Sequence, residues 1–284
     1  MLLGELLLGA LGARLLWLAS RDVFGGYVFQ RRNYRDHPLP TAVGILIPLV
    51  AAGVLALSSL VGSRQALILN WDSLLLGGHQ FLGRILGFGL LGLVDDLGGV
   101  GQSGGFAGHL RALRTGHVTT GALKLLGGPL IAIVMLGESW QSADRVALLR
   151  DAALICLAAN LANLFDRAPG RVTKVGALAF AIMWAAVAAR SSLAPVALVI
   201  GGSLGLLVPD LREELMLGDS GANVIGAALG YGVVIAVSDW WRWGALALVA
   251  FGNLLSERVS FTKVIDSVPP LRWADRLGAP HRGA

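Results

Sequence analysis

Leu91-Gly92-Leu93-Val94-Asp95-Asp96-Leu97 is the stretch on which the fold of this chain turns. An apolar run that starts near Phe81 ends here in two adjacent carboxylates, with Gly98 and Gly99 behind them. An acid at the edge of a bilayer-length apolar segment is costly, so it normally has a function or a partner. Two neighbouring carboxylates also repel each other unless a cation or basic side chains oppose them.

The rest of the chain has the same character. Of its 284 residues, 55% are hydrophobic and only 14% are charged, and its mean hydropathy is +0.69. A soluble domain carries about 25% charged residues. The class expected is therefore an all-α, polytopic membrane protein. A lone cysteine, Cys156, excludes a disulfide framework and a zinc-ligand set. No strand-like alternation points to a β-barrel. The first hydrophobic segment has no separate cleavage signal and is taken as a retained helix.

Nine hydrophobic segments lie near 2–20, 42–61, 76–97, 120–137, 147–165, 174–190, 193–211, 221–238 and 241–258. Each approaches the roughly 20 residues a bilayer requires. They define a transmembrane domain over 1–258, followed by a tail over 259–284 in which Trp273 and its neighbouring arginines suit an interfacial helix. With the N-terminus outside, sixteen of the 23 Lys and Arg fall in inner loops and the inner tail, and five in outer loops. The positive-inside rule then places the N-terminus out and the C-terminus in. In that topology Asp95, Asp96, Asp166 and Asp219 all reach the cytoplasmic face, where the active site is expected.

Four inner stretches carry the candidate chemistry. The first runs from Arg31 to Gly44 and includes Arg35, His37, Pro38, Pro40 and Thr41. It suits a phosphate-binding loop, and equally a polybasic loop resting on anionic lipid. The second, from Gly98 to Lys124, is glycine-rich and then basic, with His109, Arg111, Arg114 and His117. Lys124, at the start of a segment, would supply a counter-charge beside the acids. In the third stretch Asn160, Asn163 and Asp166 recur every three residues, so they share one helical face able to hold a polar ligand. Interhelical hydrogen bonding is the plainer role for such asparagines. Arg167, Arg171 and Lys174 follow and could clamp a pyrophosphate. The fourth stretch is Leu217-Gly218-Asp219-Ser220-Gly221 at the start of a helix. Asp219 there is either an N-cap or a magnesium ligand, since Mg²⁺ takes one or two carboxylates and keeps waters and phosphate oxygens.

Together, His37-Pro38-Leu39-Pro40-Thr41-Ala42-Val43-Gly44, Leu93-Val94-Asp95-Asp96, Asn160-Leu161-Ala162-Asn163-Leu164-Phe165-Asp166 and Leu217-Gly218-Asp219-Ser220-Gly221 resemble motifs of the polyprenyl-phosphate N-acetylhexosamine-1-phosphate transferases. These are relatives of the bacterial enzyme that forms lipid I, and the motifs occur in the family's order over about residues 30–260. The resemblance implies transfer of a sugar-1-phosphate from a UDP-sugar to polyprenyl (undecaprenyl) phosphate, with UMP leaving, for cell-envelope polysaccharide synthesis. It implies a bacterial cytoplasmic membrane location and a Mg²⁺ cofactor, with Mn²⁺ as a substitute. By that resemblance Asp219 binds the metal, Asp95 and Asp96 serve the lipid phosphate or act as base, and Lys124, Asn163 and Asp166 occupy active-site positions. A nucleic-acid partner is not expected, and the small-residue helix faces suit a homodimer.

The chain departs from the family pattern after Asp166. Arg167-Ala168-Pro169-Gly170-Arg171 replaces Gly-x-Asp/Asn-Gly-Leu, and the 256–263 region lacks the family's histidine motif. That implies an altered donor pocket. Two other readings stay open: a relative that binds polyprenyl phosphate or a partner protein without turnover, and a secondary transporter whose acids bind cations.

Overall fold

A computed structural model of the chain describes residues 2–61, 71–98, 119–137, 144–187 and 190–280. Among these residues the fold is all-helical apart from one small hairpin. The helices are α1 (Leu3–Phe24), α2 (Leu46–Val61), α3 (Trp71–Gly98), α4 (Thr120–Gly137), α5 (Arg145–Phe165), α6 (Arg171–Ala186), α7 (Ala194–Leu211), α8 (Asp219–Ala236), α9 (Asp239–Ser256), α10 (Phe261–Ser267) and α11 (Pro269–Arg276). The first nine coincide with the expected hydrophobic segments, with ends displaced by a few residues. Among the described residues four stretches, Leu3–Phe24, Arg145–Phe165, Ser191–Leu211 and Asp219–Ala236, are long and apolar enough to cross a membrane.

Local chemistry sets several of the boundaries. Asp144 accepts the backbone N–H groups of Val146 and Ala147 and so starts α5. Pro195 stands in the first turn of α7, where a missing N–H costs nothing. Gly170 takes φ +70°, a left-handed conformation that ends the short 166–170 corner and begins α6.

α7 and α8 are the inner helices, with most of their residues buried. α1 lies against α7 at backbone contact: a Cβ on Gly201 would fall 2.2 Å from Leu6 O, and one on Gly205 would fall 2.1 Å from Ala10 O. Small residues one turn apart allow this approach, as in other membrane helix pairs. α9, by contrast, buries none of its residues and exposes Trp240, Trp241, Leu248, Phe251 and Leu254.

The hairpin pairs β1 (Gln30–Arg32) with β2 (Pro38–Pro40), antiparallel, with Arg31 opposite Leu39. It was not foreseen, because three-residue strands holding two prolines leave no alternation to detect. Prolines are tolerated here because the hairpin has free edges. The tail forms two short helices. Phe261 of α10 stacks on Phe165 with ring centroids 5.0 Å apart, while α11 leaves Arg272, Trp273 and Arg276 exposed and buries Asp275.

Candidate functional site

The site forms where α3 ends, α8 begins and α4 begins. Gly92 makes it geometrically possible. A Cβ there would sit 2.4 Å from the Asp219 carbonyl and from Ser220 N, so the α3 and α8 backbones touch. Asp95 and Asp96 follow Gly92 by three and four residues and thus lie on the same helical face. That face delivers both carboxylates to the first turn of α8.

The two acids then do different things. Asp96 accepts the backbone N–H of Asp219 through Oδ1 at 2.9 Å and that of Ser220 through Oδ2 at 3.0 Å. It caps α8 from another helix, where free N–H groups and the positive end of the helix dipole favour an anion. Asp219 is therefore not its own cap. The N-cap position belongs to Gly218, at φ +71°, whose missing Cβ would otherwise meet the Asp96 carboxylate at 2.6 Å. Ser220 is fully buried and donates its hydroxyl to Leu217 O at 3.2 Å.

Asp95 instead faces Lys124. The ammonium donates to Asp95 Oδ2 at 2.6 Å and also to Asp219 Oδ2. All three side chains keep 22–24% exposure, so the cluster opens to the end of the bundle. Asn163 of α5 completes it by donating from Nδ2 to Asp219 Oδ2 at 3.0 Å. Asp95, Asp96, Lys124, Asn163, Gly218, Asp219 and Ser220, from α3, α4, α5 and the start of α8, are thus brought together.

Asp166 is the C-cap of α5 and stands beside this cluster. Loss of hydration, reinforced by the nearby carboxylates of Asp210, Asp219 and Asp96, holds its carboxyl well above the usual range. Arg167, next to it, is exposed.

Other expected site residues are engaged elsewhere. Asn160 bonds Asn253 Oδ1 at 2.6 Å and serves the α5–α9 contact, the plainer role for an asparagine inside an apolar helix. Arg171 is 2% exposed and holds Asp275 through two bonds, Nε to Oδ1 at 2.7 Å and Nη2 to Oδ2 at 2.9 Å; Nη1 donates to Thr262 at 2.9 Å. Lys174 donates to the carbonyls of Ala274, Asp275 and Leu277 at the end of α11. These two cations fasten the tail to the 166–170 corner, a use invisible without knowing where the tail folds back. Arg35 is drawn to Glu213 at 3.4 Å. Thr41 is buried at the base of the hairpin, its N–H on Phe29 O. His109, Arg111, Arg114 and His117 lie outside the described residues.

Asp210 was missed. It is 4% exposed and accepts Gly170 N at 2.8 Å, so it anchors the corner that carries Asp166. Its signal was present: like Asp95, it ends an apolar run.

Hard oxygen donors from Asp95, Asp219 and the Asn163 amide suit Mg²⁺. Among the described residues no three His, Cys, Asp or Glu side chains form a metal cage by themselves. Mg²⁺ needs only one or two carboxylates and otherwise keeps waters and phosphate oxygens as ligands. No protein-family model matches the sequence, and no curated protein matches it.

Proposed function

We propose that this chain is a Mg²⁺-dependent membrane transferase. It moves a sugar-1-phosphate, an N-acetylhexosamine-1-phosphate, from a UDP-sugar to polyprenyl phosphate. Nine spanning helices, the N-terminus outside and a cytoplasmic site belong to this reading. The observation that carries it is the convergence of Asp95, Lys124, Asn163 and Asp219, from four separate helices, at one largely buried point that keeps some exposure.

In the reaction an oxygen of the polyprenyl phosphate attacks the phosphorus that bears the sugar. The bond from that phosphorus to the bridging oxygen breaks, and UMP departs with the electron pair. One phosphoanhydride replaces another. Phosphoryl transfer of this kind demands mainly positioning and neutralisation of charge. Bound at Asp219, Mg²⁺ would supply charge neutralisation for the pyrophosphate. Lys124 adds a second cation between the carboxylates. Both Asp96 oxygens are engaged at the α8 N-terminus, so Asp95 is the carboxylate left to face the acceptor phosphate. Arg167 is the exposed cation of the 167–174 group, and is assigned to the donor.

The test is incubation of the purified protein with a panel of radiolabelled UDP-sugars, undecaprenyl phosphate and Mg²⁺ in detergent. Lipid-soluble label that disappears in Asp219→Ala and with a chelator supports the reading. No product from any donor, with a folded protein, overturns it. A lipid-binding relative without turnover is the second reading. It is favoured by the commitment of Arg171 and Lys174 to the tail.

A further inference from the structure

We infer that Glu213 is a positioning residue for Asp219, clasping the β1–β2 hairpin to the segment that leads into α8. Its backbone sits at φ +57°, a left-handed conformation uncommon for a residue with a Cβ. Its side chain is only 6% exposed. Oε2 accepts Asn33 Nδ2 at 2.8 Å and Arg35 Nη1 at 3.4 Å, and Oε1 accepts the Tyr34 hydroxyl at 2.8 Å. A carboxylate with this many donors is held in direction as well as in place.

Its partners all belong to the turn of the hairpin. Asn33 shapes that turn too, since its Oδ1 accepts the N–H groups of Arg35 and His37 at 2.9 and 3.0 Å. The clasp therefore grips a preformed element.

That element in turn touches both halves of the site. On one side Met216 N donates to Pro40 O at 2.7 Å and Gly44 N donates to Leu217 O at 2.9 Å, immediately before Gly218 and Asp219. On the other, Arg31 Nη2 donates to Leu97 O at 2.9 Å, the residue after Asp96. The hairpin thus bridges the end of α3 and the approach to α8. Leu215 and Leu217, each 1% exposed, pin the intervening segment in the core. Releasing Glu213 frees the turn of the hairpin and leaves the approach to Asp219 held by the Met216–Pro40 and Gly44–Leu217 backbone bonds and by packing. A misplacement near 1 Å at a reacting centre costs up to about a hundredfold in rate.

The test uses the full chain in lipid nanodiscs, in a Cys156→Ser background with spin labels at His37 and Arg212, both exposed. Glu213→Ala should broaden the distance distribution between the labels. On the unlabelled chain, kcat for sugar-1-phosphate transfer should fall about tenfold to a hundredfold, with KM for polyprenyl phosphate little changed. Glu213→Gln, which keeps one acceptor oxygen, should recover part of both. An unchanged distance distribution in Glu213→Ala overturns the inference, as does an unchanged kcat. If Glu213→Ala does not fold, Asn33→Ala with Tyr34→Phe and Arg35→Ala removes all three donors from the other side and must give the same two effects. The kinetic arm rests on the transferase reading and the distance arm does not. A wild-type chain that turns over no donor therefore sinks that reading alone, and the distances still decide on Glu213.

Discussion

Asp96, on α3, caps α8 at Asp219: its carboxylate takes up the N–H of Asp219 at 2.9 Å and of Ser220 at 3.0 Å. A helix end is thereby satisfied by a side chain far away in sequence. Asp96→Ala should lower stability by about 1–2 kcal/mol, the usual cost of losing a cap. Asp96→Asn, with one acceptor left, should recover part of it. Unfolding of the detergent-solubilised variants measures both, and an unaltered Asp96→Ala would remove the cap from the account.

Lys124 is the only cation described between Asp95 and Asp219. Lys124→Met should leave the two carboxylates opposed and cost about 1–2 kcal/mol, less than a fully buried pair because all three groups are partly solvated. Mg²⁺ should then raise the melting temperature of Lys124→Met more than that of the parent, since an ion bound to the folded state stabilises it. Thermal unfolding with and without Mg²⁺ checks this.

The Arg171–Asp275 pair is buried on both sides, at 2% and 4% side-chain exposure. Breaking it from one side should cost about 3–5 kcal/mol, because the remaining charge stays buried. Arg171→Met together with Asp275→Leu should recover much of that loss. Arg171→Lys should not, for an ammonium cannot span both carboxylate oxygens. Protease release of the tail, compared across the single and double variants, gives the measurement.

Gly92 and Gly53 make a controlled comparison. A Cβ on Gly92 meets the Asp219 and Ser220 backbone at 2.4 Å, whereas one on Gly53 meets nothing within 4 Å. Gly92→Ala should destabilise by about 1–3 kcal/mol, as overpacking does, and should abolish transfer by driving α3 from α8. Gly53→Ala should be silent in both assays.

Asp166 predicts a pH dependence. Its carboxyl is raised well above 3.8 by burial and by neighbouring carboxylates. The folded state therefore holds this proton more tightly than the unfolded state. Its contribution is fully present below about pH 4 and is lost as pH rises through the folded value. Asp166→Asn should match the parent near pH 4 and exceed it in melting temperature near pH 8. Equal melting curves at both values would show that the shift has no consequence for stability.

The helices were legible because long apolar runs have few ways to satisfy their backbone groups except as helices. Two of those runs, closed by acids, pointed to Asp95, Asp96 and Asp166, and the Gly218-Asp219-Ser220-Gly221 stretch that opens another pointed to Asp219. Asp210 carried that signal and was passed over. The hairpin was not legible, since β1 and β2 are three residues each and two of those six residues are prolines.

Sequence alone thus determined the all-helical class, the approximate helix limits and the acids, amides and bases available to a site, because those follow from local composition and spacing. Only the tertiary structure decided what each residue does. It assigned Asp96 to a helix cap and left Asp95 to Lys124, turned Asn160 towards α9, and gave Arg171 and Lys174 to the tail. Adjacent or evenly spaced residues look equivalent along a chain. They differ once a neighbouring backbone, admitted by a missing Cβ at Gly92, lies within hydrogen-bond reach of one and not the other.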